Sequence, residues 1–155
     1  MSNSEGIRAE KSKATFRFEC TVRADVTAPA SKIWSLLTNP GDMTRWNSTL
    51  ESIEGAIELG GVVKMRVPEA PGRTFKIKVT EFIPNQVMVW TDGNPVFFQG
   101  QRTYRLVPTD TGARFEMSEV FRGLMLPMIF GHLPDFGPIF ERYAADLKRE
   151  AERLA

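Results

Sequence analysis

Residues 16–40 read FRFECTVRADVTAPASKIWSLLTNP, and this stretch decides the fold. Phe16, Phe18, Cys20, Val22, Ala24 and Val26 alternate with Arg17, Glu19, Thr21, Arg23 and Asp25. A period of two over that length is a long strand with one buried and one wet face. Thr27-Ala28-Pro29 then offers a capping hydroxyl and an early proline, the signature of a helix start. Ile33, Trp34 and Leu37 follow at helical spacing, Asn39-Pro40-Gly41 stops the helix, and Asp42 to Trp46 suits a second short one.

Downstream, the pattern is an antiparallel meander. Strands are expected at Thr49–Gly55, Val62–Val67, Thr74–Ile83, Val87–Thr91, Val96–Val107 and Ala113–Phe121. Turn signals separate them at Gly60-Gly61, Pro68 to Gly72, Pro84-Asn85, Asp92-Gly93-Asn94-Pro95 and Asp110-Thr111-Gly112. The chain closes on an amphipathic helix. Phe136, Ile139, Phe140, Tyr143, Ala144, Leu147, Ala151 and Leu154 share one face, and Glu141, Arg142, Lys148, Arg149 and Glu152 take the other.

The chain has 155 residues, 20 Lys+Arg against 19 Asp+Glu, one His and one Cys. That length suits a single domain, expected over residues 14–155 behind a flexible N-terminal tail at 1–13. A net charge of +1 with scattered cations offers no phosphate-binding face, so no nucleic-acid partner is expected. One Cys excludes an intrachain disulfide and every multi-Cys zinc pattern, and one His excludes a His-pair metal site. No metal and no cofactor are expected. Met1 to Lys13 contains no apolar core that would make a signal peptide. The one long apolar stretch, Gly123 to Phe140, is broken by Pro127, Pro134 and Pro138 and fails as a membrane span. The expected location is the cytoplasm.

The expected fold is therefore α+β: a curved antiparallel sheet of about seven strands around a long C-terminal helix, with two short helices after the first strand. Such a sheet and helix leave a gap between them that suits a small apolar ligand. The run Ala28-Pro29-Ala30-Ser31-Lys32-Ile33-Trp34-Ser35-Leu36-Leu37-Thr38-Asn39-Pro40 resembles the opening of the START-like helix-grip superfamily, in its polyketide cyclase/dehydrase-like branch. Arg45-Trp46, Gly60-Gly61, Thr111-Gly112-Ala113-Arg114 and Leu147-Lys148 continue the resemblance. These motifs are structural. They imply the helix-grip fold and leave three functions open: carriage of a lipid, polyketide-like or aromatic molecule, a cyclase or dehydratase reaction, or a co-chaperone-like interaction.

Chemistry must be sought where polar residues fall in phase with core positions. Phe98, Gly100, Arg102, Tyr104 and Leu106 share one strand face; Phe115, Met117, Glu119 and Phe121 share the next. A turn over Thr109 to Gly112 sets Leu106 against Phe115, Tyr104 against Met117 and Arg102 against Glu119. An Arg102–Glu119 ion pair on the concave surface is therefore expected, because a lone buried charge costs several kcal/mol. Arg102, Glu119, Tyr104 and His132 are the candidate acid/base groups. Glu81 is also in phase, unless a bulge near Phe82 turns it outward. Met65, Trp90, Phe98, Tyr104 and Met117 are the candidate strand lining, facing Phe136, Phe140 and Tyr143 on the helix. Trp90 belongs there in only one of the two registers that Pro84-Asn85 allows. Trp46 stands at the pocket mouth or packs as an anchor. The apolar segment Gly123 to Pro138, with Met125 and His132, reads as a lid, as a packed connector, or as a homodimer contact.

Overall fold

The computed structural model describes residues 6–153. Its elements run β1 (Glu10–Ala14), β2 (Arg17–Val26), α1 (Ala30–Leu37), α2 (Pro40–Trp46), β3 (Ser52–Gly55), β4 (Val62–Arg66), β5 (Phe75–Ile83), β6 (Val87–Asn94), β7 (Phe98–Thr109), β8 (Gly112–Arg122), α3 (Leu126–Ile129), a single 3-10 turn (Phe130–His132) and α4 (Phe136–Glu152). All eight strands form one antiparallel sheet in the order β1-β2-β8-β7-β6-β5-β4-β3. α4 lies against β2 and β8, and this is the helix-grip α+β architecture.

β2 forms as the alternation dictates, with Phe18, Cys20, Val22, Ala24 and Val26 all buried. α1 buries Ile33, Trp34 and Leu37, but its N-cap is Pro29, and no side chain caps it. Thr27 is not the cap; its N–H instead donates to Glu152 Oε2 at 2.9 Å. α2 begins with Pro40 in its first turn, where a missing N–H costs nothing. α4 buries Phe140, Tyr143, Ala144, Leu147 and Ala151, and Asp135 caps it by accepting from the Gly137 N–H at 3.1 Å. Leu154 lies outside the described residues.

Three expectations are refined or corrected. The sheet of about seven strands forms with eight, because Glu10–Ala14 adds an edge strand to β2. Every side chain of β1 is exposed, so its sequence has no apolar alternation to read. Ladder hydrogen bonds hold it, and its two lysines suit an unpaired edge. The tail expected at 1–13 is thus tied down from residue 6: Ile7 is buried and the Ala9 N–H donates to Glu141 Oε2 at 2.9 Å. Residues 1–5 lie outside the description. Lastly, β6 runs on through Gly93, whose φ of +87° only glycine adopts comfortably, so the turn falls at Pro95–Phe97 and leaves Val96 and Phe97 exposed.

Candidate functional site

One cross-strand row organises the concave face. Successive strands place Lys11, Cys20, Glu119, Arg102, Trp90 and Val79 directly opposite one another. The next row carries Val22, Met117, Tyr104, Met88 and Phe82. This settles the register of β6: Trp90 faces inward beside Arg102. A shift between Val79 and Glu81 is the bulge that turns Glu81 to solvent and brings Phe82 in against Trp34.

The ion pair forms as the register requires. Arg102 Nε donates to Glu119 Oε2 at 2.7 Å, with the two side chains 16 % and 14 % exposed. α4 supplies the opposite wall, where the Phe140 ring lies 5.0 Å from the guanidinium. Burial works against the charge on Arg102, yet the Glu119 carboxylate overcomes it and holds the pKa above the ordinary arginine value. Tyr104 packs against Trp90 at 5.1 Å and Tyr143 at 6.2 Å between ring centroids. Burial raises the Tyr104 pKa, opposed by the charge and hydrogen bonding of Arg102. Burial raises Tyr143 further, and proximity to Tyr104 adds to it. At neutral pH both phenols keep their protons and serve as neutral hydrogen-bond donors.

Two indoles complete the wall. Trp46 meets Tyr143 edge-on at 6.0 Å, and its position inside the packed core makes it an anchor. The Nε1 atoms of Trp46 and Trp90 are buried donors with no acceptor among the described residues. Such groups are costly unless water or a ligand oxygen reaches them. Met65 and Met117 are buried, and Phe98 and Phe136 are half-buried, each stacked or tilted against Phe121. Burying Cys20 beside Glu119 pushes its thiol up to about 11, against the nearby positive charges of Lys11 and Arg102.

Two candidates fall outside this group. His132 is exposed on the 3-10 turn, and Met125 is exposed before α3. The apolar segment that carries both splits its side chains: Leu126 is buried, Phe130 and Leu133 pack on the core, and Leu124, Met125 and Met128 face outward. Sequence periodicity could not make that division, because α3 and the following turn are too short to show a period.

The family described as polyketide cyclase / dehydrase and lipid transport matches residues 17–155. The chain belongs to that family. No curated protein matches the sequence. Among solved structures, a Chromobacterium violaceum protein is 17% identical with a TM-score of 0.65, over 88% of this chain and 99% of that one. A conserved Enterococcus faecalis protein of unknown function is 13% identical with a TM-score of 0.65, over 95% of this chain and 82% of that one. Truncated norcoclaurine synthase from Thalictrum flavum is 17% identical with a TM-score of 0.64, over 92% of this chain and 99% of that one. At these identities the likeness is one of fold.

In this member of the family, two surface grooves among the described residues lie away from the ion pair. One of about 400 Å³ is lined by Ile7, Arg23, Asp25, Arg114 and Lys148, and one of about 290 Å³ by Ile53, Lys64, Met65 and Thr74. In the first, Arg23 pairs with Glu116, Arg114 with Asp25 and Lys148 with Glu152, so its cations are already neutralised. The described residues contain no cluster of three or more metal-ligating side chains. No described helix is long and apolar enough to cross a membrane.

Sequence reading missed one buried polar anchor. Asp146 sits on the inner face of α4, 5 % exposed, and accepts from the Ser48 N–H at 2.8 Å and Oγ at 2.7 Å. The aspartate ties the α2–β3 connection, with Trp46 at its start, to α4. Its helical phase among Tyr143, Leu147 and Ala151 was the available signal.

Proposed function

We propose that this chain binds a small, largely apolar molecule, such as a lipid, polyketide-like or aromatic compound, between the concave face of the sheet and α4. The observation that carries this reading is the Arg102–Glu119 pair, 2.7 Å long and about 15 % exposed, set among aromatic walls. A sequestered ion pair is weak evidence for stability, since apolar side chains of the same volume often serve the fold as well or better. Its value lies in a polar anchor inside an apolar site. Because the two charges cancel, a buried ligand carboxylate would stand uncompensated. A neutral carbonyl or hydroxyl oxygen suits the site better, accepting from guanidinium N–H groups not engaged by Glu119, from the Tyr104 phenol, to which Tyr143 donates, and from the Trp90 indole. Met65, Met88 and Met117, flexible and buried, give such a site room to adapt. The unit at work takes in β1 together with residues 14–155, and its compartment is the cytoplasm.

A second reading uses the same atoms for catalysis. Glu119 as base and the protonated Tyr104 as donor form an acid/base pair of the kind a cyclase or dehydratase requires. Affinity of a neutral apolar fluorescent probe, N-phenyl-1-naphthylamine, tests the binding reading. Tyr143→Ala is expected to change that affinity, and an unchanged affinity removes Tyr143 from the site. Glu119→Gln separates the readings once a substrate is in hand. Lost turnover with binding intact favours the enzyme, and loss of both leaves a carrier. Native mass spectrometry of protein from its own host, followed by organic extraction, supplies that compound.

A further inference from the structure

Three loops meet at one end of the sheet: the β1–β2 turn, the β6–β7 turn and the β8–α3 connection. Backbone hydrogen bonds fuse them, with Gly123 N–H donating to Phe16 O at 3.1 Å, Leu124 to Val96 O at 2.9 Å and Met125 to Phe97 O at 2.9 Å. Together they present Phe16, Val96, Phe97, Leu124, Met125 and Met128, each 38–72 % exposed. Large apolar side chains gathered on one exposed tip in this way mark a contact surface.

The surrounding charge is mainly positive: residues 13–18, 94–101 and 120–134 contain no Asp or Glu and carry Lys13, Arg17 and Arg122, with Glu19 and Asp135 just beyond them, paired to Arg17 and Lys11. Arg17 and Arg122 stand directly opposite each other across β2 and β8, a placement that repels unless an anion lies between or above them. Lys13 rests 4.1 Å above the Phe130 ring. Among the described residues, neither Lys13 nor Arg122 has an acidic partner, and Arg17 has only Glu19, at 3.0 Å. Directly behind the tip, a row of ring contacts (stacked, then tilted, then edge-on) runs inward from Phe98 and Phe121 through Phe136 to Phe140, where Arg102 lies.

We infer that this tip is a docking surface for an anionic lipid bilayer, into which Phe97, Leu124 and Met128 insert while Lys13, Arg17 and Arg122 meet the headgroups. Apolar side chains ringed by cations are the pattern of interfacial membrane binding. A second copy of the chain fits less well, because a two-fold contact through this patch would bring the same three cations of both copies together. Docking here would set the lipid surface against the outer end of this row of rings, and it stands whether or not the interior binds a ligand.

Co-sedimentation of the full chain with vesicles tests it, using phosphatidylcholine alone and phosphatidylcholine containing phosphatidylglycerol. The wild type is expected to partition onto the anionic vesicles and much less onto the neutral ones. Leu124→Ser with Met128→Ser is expected to weaken partitioning at least about tenfold. Lys13→Glu with Arg122→Glu is expected to remove the preference for anionic lipid, by about fivefold or more per cation. Phe97→Ser, on a different loop, must weaken binding in the same way, which keeps the test decisive if one variant misfolds by circular dichroism. No partitioning by the wild type overturns the proposal, as does partitioning that survives the apolar substitutions. A dimer on size exclusion that Leu124→Ser with Met128→Ser dissociates, with no vesicle binding, assigns the patch to a second copy and also overturns it.

Discussion

Arg102 and Glu119 define what a single residue can be asked to do here. Glu119→Gln leaves a nearly buried guanidinium without its counter-charge, and a loss of about 2–3 kcal/mol in unfolding free energy is expected, less than for a fully buried pair because the side chains retain some solvent. Replacing both, by Arg102→Met with Glu119→Leu, is expected to recover most of that loss. Urea denaturation measures both, and a Glu119→Gln protein as stable as wild type would show that the pair is solvated. Cys20 carries a pH prediction. The unfolded thiol ionises near its ordinary 9.0 and the folded one at about 11, so the native state holds the extra proton between those values. Stability is therefore untouched below about pH 9 and falls as pH rises from there to about 11, by roughly 2–3 kcal/mol. Other groups titrate in that window, so the check is the difference between wild type and Cys20→Ala, which should lack this part of the slope. The same burial should leave the native thiol unreactive to iodoacetamide until the chain unfolds. The pair was legible beforehand because strand phase and a short turn determine which residues face each other. The unpartnered indoles of Trp46 and Trp90 were not, because an orphaned donor is a property of three-dimensional surroundings.

Elements are held in place by a few contacts that their own patterns do not announce. Gly123 has φ +135°, and a Cβ there would collide with the Phe97 carbonyl oxygen. Gly123→Ala should therefore pry the β8–α3 connection from the β6–β7 turn and cost about 1–3 kcal/mol. Thermal unfolding checks the cost, and an unshifted melting temperature would mean that the two loops move apart freely. Asp146 holds α4 to the α2–β3 connection by accepting both Ser48 hydrogen bonds. Asp146→Ala strands those donors and should cost about 1–3 kcal/mol, whereas an exposed change away from this anchor, such as Lys78→Ala on β5, should cost a few tenths. β2 and α4 were legible because each is long and buries a single face, so the period repeats often enough to be read. β1 was invisible for the opposite reason: its five side chains are all exposed and its stability resides in backbone hydrogen bonds to β2. The β6–β7 turn moved because a φ of +87° at Gly93 lets the strand continue where a turn signal stood.

At the scale of the whole molecule, a ligand that binds only the folded state stabilises it by mass action. A compound present at about a hundredfold over its dissociation constant adds about 2.7 kcal/mol, and in a domain of this size that raises the melting temperature by roughly 5–10 °C. Thermal-shift screening of neutral apolar ketones, esters and phenols against their carboxylate analogues tests the charge argument. Stronger shifts from the carboxylates would show that Arg102 is not neutralised by Glu119. The amino-acid sequence by itself determined the α+β class, the meander, the closing helix and the facing of Arg102 on Glu119. All of these follow from local periodicity and from pairing across one short turn, which are interactions between near neighbours in the chain. Tertiary structure alone decided that Trp90 completes the polar row, that Asp146 anchors α4, that His132 and Met125 stand outside, and that three distant loops fuse into one exposed apolar tip. Each of these depends on segments far apart in sequence meeting in space. No spacing along the chain encodes such a meeting, because the whole sheet must close before any of them becomes a neighbour.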